Sequence, residues 1–156
     1  MEFQAAFYKG TRPGMAGIYN RLVRFIDRGP YSHCELIFSD GMAASASWMD
    51  GGVRFKKIDF NPEHWDFIPL HPEDEAAARQ WFIDHEGEPY DLPGNLRFLC
   101  GLVLESENGW FCSEAKMAAL GFADPWRYGP NGALALLRDM FGIELGAEVH
   151  ISCPNP

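Results

Sequence analysis

The spacing of hydrophobic and polar positions changes near the middle of the chain. In the first half most apolar residues alternate in short runs bounded by turn formers. Phe3 to Tyr8 reads as a short strand entering a Gly-Thr-Arg-Pro-Gly turn. His33, Glu35 and Ile37 alternate with Cys34, Leu36 and Phe38, which gives a strand one face with a polar pair and one apolar face. Asp40-Gly41 signals a hairpin, Ala43 to Trp48 a return strand, Asp50-Gly51-Gly52 a second turn, Val53 to Ile58 another strand and Trp65 to Leu70 a further one. Together they suggest an antiparallel meander. One helix interrupts this series. Met15, Ile18, Leu22, Phe25 and Ile26 recur at spacings of three and four, with Arg21, Arg24 and Arg28 grouped on the outer face. Gly29-Pro30 ends it. The arginines read first as a solvated face and second as a patch for an anionic ligand.

The second half has helical periodicity. Pro72-Glu73-Asp74-Glu75 sets proline and acids at a helix start, Ala77 with Trp81 and Ala78 with Phe82 lie four apart, and Gly87 follows the end near His85. Leu96 to Leu104 is an apolar, helical segment. Phe111, Ala115, Ala118, Ala119 and Phe122 mark another stripe, and Pro130-Asn131-Gly132 opens a last helix with Leu134, Leu137, Met140 and Phe141 inward. Val149, Ile151 and Cys153 alternate as a terminal strand would. Strands first and helices later predict an α+β fold, an antiparallel sheet packed against helices.

At 156 residues and 47% hydrophobic content, the chain suits one substantial core, so residues 1–156 read as a single domain. No basic segment leads into a long apolar stretch at the N-terminus, and no apolar run approaches the ~20 residues that cross a bilayer. The expectation is a cytoplasmic protein without stable membrane insertion. A net charge of −9 argues against a nucleic-acid partner. Cys34, Cys100, Cys112 and Cys153 show no C-x-x-C spacing, against a structural zinc site or a thioredoxin-type pair. A metal site built from Cys34, Cys112 and histidine carries little weight because Cys34 alternates away from His33. No metal and no cofactor is expected, and oligomeric state is not encoded in any visible pattern.

Two segments carry chemistry: Ser32-His33-Cys34-Glu35 and Trp110-Phe111-Cys112-Ser113-Glu114. Cys112 stands where a helix begins, and unpaired backbone N–H groups there favour a thiolate and can hold an oxyanion. Read in isolation, it is more simply a packed cysteine. A lone His33 is likewise more simply structural, but Glu35 shares its face about 6.6 Å along the strand, close enough to orient an imidazole. Ser47 ranks second for that role. A two-residue Asp40-Gly41 loop leaves Ser45 and Ser47 on the opposite face, whereas a three-residue loop brings both onto the histidine face. Asp91 suits a helix cap, Glu114 the helix dipole, and Lys116 a partial compensation for Glu114 beside Cys112.

Tyr31-Ser32-His33, the Gly52-Val53 step, Pro89-Tyr90-Asp91 and Phe111-Cys112-Ser113-Glu114, in that order over roughly residues 3 to 122, resemble the circularly permuted NlpC/p60 papain-like cysteine hydrolases. The closest likeness is to the YiiX-like branch, related in architecture to lecithin:retinol acyltransferase and with some relatives in phage genomes. The resemblance implies a papain-like core in permuted order, Cys112 as nucleophile, His33 as general base, and Tyr90 as a substrate-contacting or oxyanion-assisting hydroxyl. The family's third member sits on the strand after the histidine. That strand here, Ala43 to Trp48, has no acid, which raises the standing of Glu35.

The expected function is a cysteine-dependent hydrolase or acyltransferase acting on an amide, peptide or ester bond of a small-molecule, peptide or lipid substrate. The alternative is a non-catalytic binding or assembly module that keeps the fold. Its motivation is the missing acid and four tryptophans, Trp48, Trp65, Trp110 and Trp126, that read as exposed or core.

Overall fold

The computed structural model describes residues 1–91 and 109–142, and they form an α+β fold. Five strands, β1 (Gln4–Tyr8), β2 (His33–Ile37), β3 (Ala43–Ser47), β4 (Gly52–Lys56) and β5 (Trp65–Pro69), make one antiparallel sheet in the order β4-β3-β2-β1-β5. Four α-helices are described: α1 (Gly14–Ile26), α2 (Glu75–Asp84), α3 (Cys112–Ala119) and α4 (Pro130–Phe141). The expected segments Leu96 to Leu104 and Val149 to Cys153, with Cys100, lie outside the described residues. Among the described residues no helix is long and apolar enough to cross a membrane.

Strands β2, β3 and β4 follow one another as a meander, but β5 crosses to the far edge and pairs with β1. That corrects the expectation of four strands in sequence order. With β1 and α1 preceding β2, the central strand is flanked on both sides, and β2 is buried on both faces. The main core lies on the face carrying Phe7, Cys34, Leu36, Ala44 and Ala46, covered by α2, α3 and α4. A smaller cluster of Ala6, Tyr8, Ile37, Ala43 and Trp65 fills the other face.

Helix α1 forms over the expected span with Arg21 and Arg28 exposed as expected, but its apolar stripe is not turned to the core. Met15, Ile18 and Phe25 are exposed, while Gly17 and Asn20 are buried. The reason is polar anchoring. Arg24 donates to the carbonyl of Lys9 at 2.8 Å and to Thr11 Oγ1 at 2.6 Å, and Asn20 Oδ1 accepts the Arg12 N–H at 3.2 Å. A Cβ at Gly17 would lie 2.0 Å from the Arg12 carbonyl oxygen, so that face can approach the turn only as glycine. In α4, Leu134 and Leu137 are buried as expected, but Met140 is exposed. Among the tryptophans, Trp65 is core and Trp48 is exposed, with Trp110 and Trp126 half-buried.

Helix α3 departs furthest from an amphipathic stripe. Seven of its eight residues are buried, Ser113, Glu114 and Lys116 among them, and Ala118 is the exception. A helix buried all round is normally apolar, so this polar content is costly unless it is hydrogen-bonded or paired.

The start of α3 is delivered by a chain of backbone contacts from the sheet edge. Val53 N–H donates to the Glu88 carbonyl at 2.9 Å and Gly87 N–H to the Val53 carbonyl at 2.9 Å. Trp110 N–H then donates to Pro89 at 3.0 Å and Asp91 N–H to Trp110 at 3.1 Å. Gly52 makes the first approach feasible. Its φ is +148°, and a Cβ there would lie 2.0 Å from the Glu88 carbonyl oxygen. Gly51, with φ +88°, has nothing within 4 Å of such a Cβ. Gly52→Ala is therefore expected to lower unfolding stability by about 3 kcal/mol and Gly51→Ala by about 1 kcal/mol, from strain alone in the second case and strain plus clash in the first. Urea unfolding of the two variants checks the order; equal losses would contradict it.

Candidate active site

His33 opens β2 opposite Tyr8, and its Nε2 lies 2.8 Å from Glu35 Oε1. The alternation of the strand puts these two side chains together on the smaller-core face, as their spacing predicts. Glu35 is only 1% exposed, so its charge depends on partners. Arg54 of β4 supplies the main one, with Nη1 2.7 Å from Oε2 and Nη2 2.6 Å from Oε1, a bidentate pair. Arg54 in turn bonds Asp50 at 3.0 Å, and Lys56 bonds the other Asp50 oxygen at 2.7 Å. Burial pushes the Glu35 carboxyl up, but the hydrogen bonds from Arg54 and then His33 outweigh it and hold the group down at about 2. With Nε2 committed to Glu35, Nδ1 is the imidazole nitrogen without a hydrogen-bond partner among the described residues.

The hairpin between β2 and β3 closes through Ser39, Asp40 and Gly41, with Phe38 N–H donating to Met42 and Gly41 N–H to Phe38, each at 2.9 Å. This is the three-residue form of the loop. Ser45 and Ser47 accordingly share a face with Ala43 and His33. Ser45 stands between β2 and Arg54, its partner on β4, and its hydroxyl donates to the Cys34 carbonyl at 2.7 Å. Ser47 lines a cleft with His33. Neither serine takes the position against His33 that Glu35 occupies.

Cys112 is the first residue of α3. The N-cap, Phe111, has extended backbone geometry, and its N–H donates to Glu114 Oε2 at 3.4 Å, the carboxylate half of a capping box. Glu114 is thus turned back to the helix start. Cys112 meets the sheet on the main-core face, and there it meets Cys34. Both thiols belong to one buried core cluster, and each shifts the other's ionisation. Both cysteines are free and buried. The neighbour that alternation turns away from His33 therefore shares the core with Cys112.

Lys116, one turn along α3, is 0% exposed. Its Nζ lies 3.5 Å over the Phe7 ring and makes no well-formed hydrogen bond among the described residues. Its compensating charge is the thiol pair. Burial pushes the Cys34 thiol up, but the hydrogen bond from Cys112 and the charges of Lys116 and His33 bring it down to about 6. The bond to Cys34, then burial, then the Cys34 charge push Cys112 well above the usual thiol range. Burial pushes the Lys116 ammonium down, and the Cys34 charge draws it back up.

Two tyrosines line a cleft with the imidazole. Tyr19 and Tyr90 hydroxyls lie 2.7 Å apart and line the same cleft as His33, Ser32, Ser47 and Arg12. Burial raises the Tyr19 hydroxyl far above its ordinary range, against the Tyr90 hydrogen bond and reinforced by charge on Cys112. Tyr90 is placed by the same backbone contacts that carry Cys112. Ser32 Oγ, buried in the cleft wall, has no hydrogen-bond partner among the described residues. Asp91 is buried beside Tyr90. No group of three metal-ligating side chains occurs among the described residues.

Sequence reasoning missed Tyr19, Cys34 as a neighbour of Cys112, and Arg54. The last had a usable signal: an arginine alternating with Val53 and Phe55 points to one face of a strand that otherwise buries apolar side chains.

Removing Arg54 leaves Glu35 buried without its main cation. Arg54→Met is expected to cost about 3–5 kcal/mol, and adding Glu35→Gln should recover a large part of it. The folded carboxyl is depressed, so its contribution is complete above the unfolded glutamate value and disappears as pH falls through that value toward about 2. Chemical denaturation of wild type, single and double variants across that range checks both statements.

Compared with known proteins, the chain matches no family model and no curated sequence.

Proposed function

We propose that this chain is a cysteine-dependent hydrolase or acyltransferase with a papain-like core in circularly permuted order, acting at an amide, peptide or ester carbonyl. One observation carries the reading: an imidazole held by a buried carboxylate lines a cleft with a hydrogen-bonded pair of tyrosine hydroxyls, and one of them, Tyr90, bridges to Trp110 just before the thiol at the start of α3. Cys112 is the nucleophile, His33 the base, Glu35 the residue that orients His33, and Tyr90 with Tyr19 the hydroxyls nearest the reacting carbonyl.

The steps balance with these residues alone. The reaction requires the Cys112 thiol to reach His33. His33 Nδ1 takes the thiol proton, the sulfur bonds the carbonyl carbon, and the carbonyl electron pair moves to oxygen. N–H groups at the start of α3 and a tyrosine hydroxyl face that oxygen. Collapse expels the amine or alcohol, which leaves with the proton from His33. Water, deprotonated by His33, or an acceptor nucleophile then breaks the C–S bond. Glu35 remains ionised throughout, pairing the imidazolium.

A second reading, a binding module without turnover, draws on the thiol pair. The neighbouring Cys34 and burial push the Cys112 thiol well above its usual range, which opposes a ready nucleophile. Activity separates the two. Assayed on nitrophenyl esters, acyl thioesters and peptide or isopeptide anilides, wild type should turn over at least one class. Cys112→Ala and His33→Ala should lose about 10³-fold or more, and Glu35→Gln about 10- to 100-fold, mainly in kcat. Full turnover by Cys112→Ala would remove the hydrolase reading, and no turnover by wild type on any class would favour the module.

A further inference from the structure

Helix α1 turns its polar side inward, and what that side holds is the backbone of the turn before it. Arg24 bonds the Lys9 carbonyl and Thr11 Oγ1, Asn20 Oδ1 accepts the Arg12 N–H, and the Arg12 carbonyl packs on Gly17. Leaving Met15, Ile18 and Phe25 exposed forgoes hydrophobic burial, and this turn is what the orientation secures. The Arg12 backbone is held at its N–H and its carbonyl, while its side chain lines the cleft beside His33, Ser32, Tyr19 and Tyr90. There the guanidinium lacks an anion. Arg54, Arg79 and Arg127 each pair with a carboxylate. Among the described residues Arg12 touches only the Met49 sulfur, 2.8 Å from Nη1, and the Tyr8 ring, whose centroid is 5.6 Å from Cζ. A thioether is a weak acceptor, so most of a donor fork shaped for a planar anion is unused. No Asp or Glu lines the cleft among the described residues, although the chain has 22 of them against 13 Lys and Arg. A second donor waits in the cleft wall: Ser32 is 3% exposed, and its hydroxyl has no hydrogen-bond partner among the described residues.

We propose that Arg12 receives a carboxylate of the substrate, so that the cleft selects acyl compounds carrying a free acid at the end away from the reacting carbonyl. The guanidinium gives up the Met49 sulfur and donates two parallel N–H bonds to the two carboxylate oxygens. Arg12 is the only Lys or Arg in the lining among the described residues, and His33 is already paired with Glu35. One unpaired positive charge matches a carboxylate; a phosphate dianion calls for a second cation. Because the turn is fixed by α1 before any ligand arrives, little ordering is needed on binding. An uncharged group of the same shape would leave the guanidinium shut in without an anion, and that difference is the source of selectivity. That the ligand is an acyl compound rests on the hydrolase or acyltransferase reading; the anion site itself does not.

The test compares matched pairs on the full chain. Succinyl, glutaryl and adipyl nitrophenyl esters are each assayed beside the uncharged acyl ester of the same chain length. Succinamate, glutaramate and adipamate are each titrated beside the uncharged diamide, with the His33 ring resonances followed in histidine-labelled protein. Wild type should favour one acid-bearing ester by about 10- to 100-fold in kcat/KM and bind one amide acid about tenfold or more tightly than its diamide. Arg12→Met should bring both preferences to about one, and Arg12→Lys should restore part of each, which a merely structural role in the turn would not produce. Circular dichroism checks the fold of both variants; should Arg12→Met fail to fold, the wild-type preferences and Arg12→Lys decide. The two arms keep the readings apart. Binding preference without turnover of any ester would count against the hydrolase reading and keep the anion site, whereas turnover without preference would keep the hydrolase reading and overturn the site. Equal binding of acid and diamide, binding of neither, or an acid preference that survives in Arg12→Met would also overturn it.

Discussion

A carboxylate cut off from water is tolerable only with cations held against it, and Glu35 in the central strand depends on Arg54 for this reason. The bidentate contact reaches from β2 to β4 across β3, about 9.6 Å in strand spacings. That span is feasible because the residue between them, Ser45, is small and turns its hydroxyl to the Cys34 carbonyl. The pair ties three strands together on one face. It also determines what His33 can do, since the second lone pair of Oε1 takes the imidazole. Asp50 and Lys56 extend the charge balance outward to solvent, so the buried anion belongs to a network that ends at the surface.

On the opposite face the sheet presents Cys34 to the start of α3, and charge is balanced there by different means. Lys116 stands there, over the aromatic face of Phe7. Both polar sites pass through adjacent residues of one strand. His33 and Glu35 point one way and Cys34 the other, and the strand's own backbone separates them. The clamp through Gly52, Glu88, Pro89 and Trp110 holds α3 against this strand and carries Tyr90 with it. The cleft therefore gathers groups from β2, α1, the turn after β3 and the segment before α3.

Strand alternation made much of this readable beforehand. His33 and Glu35 share a face because a strand has period two, and that rule needs no tertiary information. The same rule sends Cys34 to the other face, but what stands there depends on where a helix some eighty residues later packs. Hairpin chemistry narrowed the β2–β3 loop to two forms without choosing, because Asp40-Gly41 fits either; the Phe38 to Met42 bond decides it. The orientation of α1 was misread for a physical reason. Its spacing is that of a core-facing helix, yet Arg24, Asn20 and Gly17 hold the polar side to the preceding turn. Helix α3 misleads in the opposite sense, since Ser113, Glu114 and Lys116 look like surface residues and are buried. Pairing of β5 with β1 has no local signature at all.

By holding Nε2, Glu35 selects which imidazole nitrogen of His33 is left to accept a proton. Long-range proton–nitrogen correlation NMR on histidine-labelled protein reads that tautomer directly. The neutral His33 ring should carry its proton on Nε2, facing Glu35, with Nδ1 showing the shift of an unprotonated nitrogen, and Glu35→Gln should disturb that preference. A neutral ring protonated on Nδ1 in the wild-type protein would contradict the account.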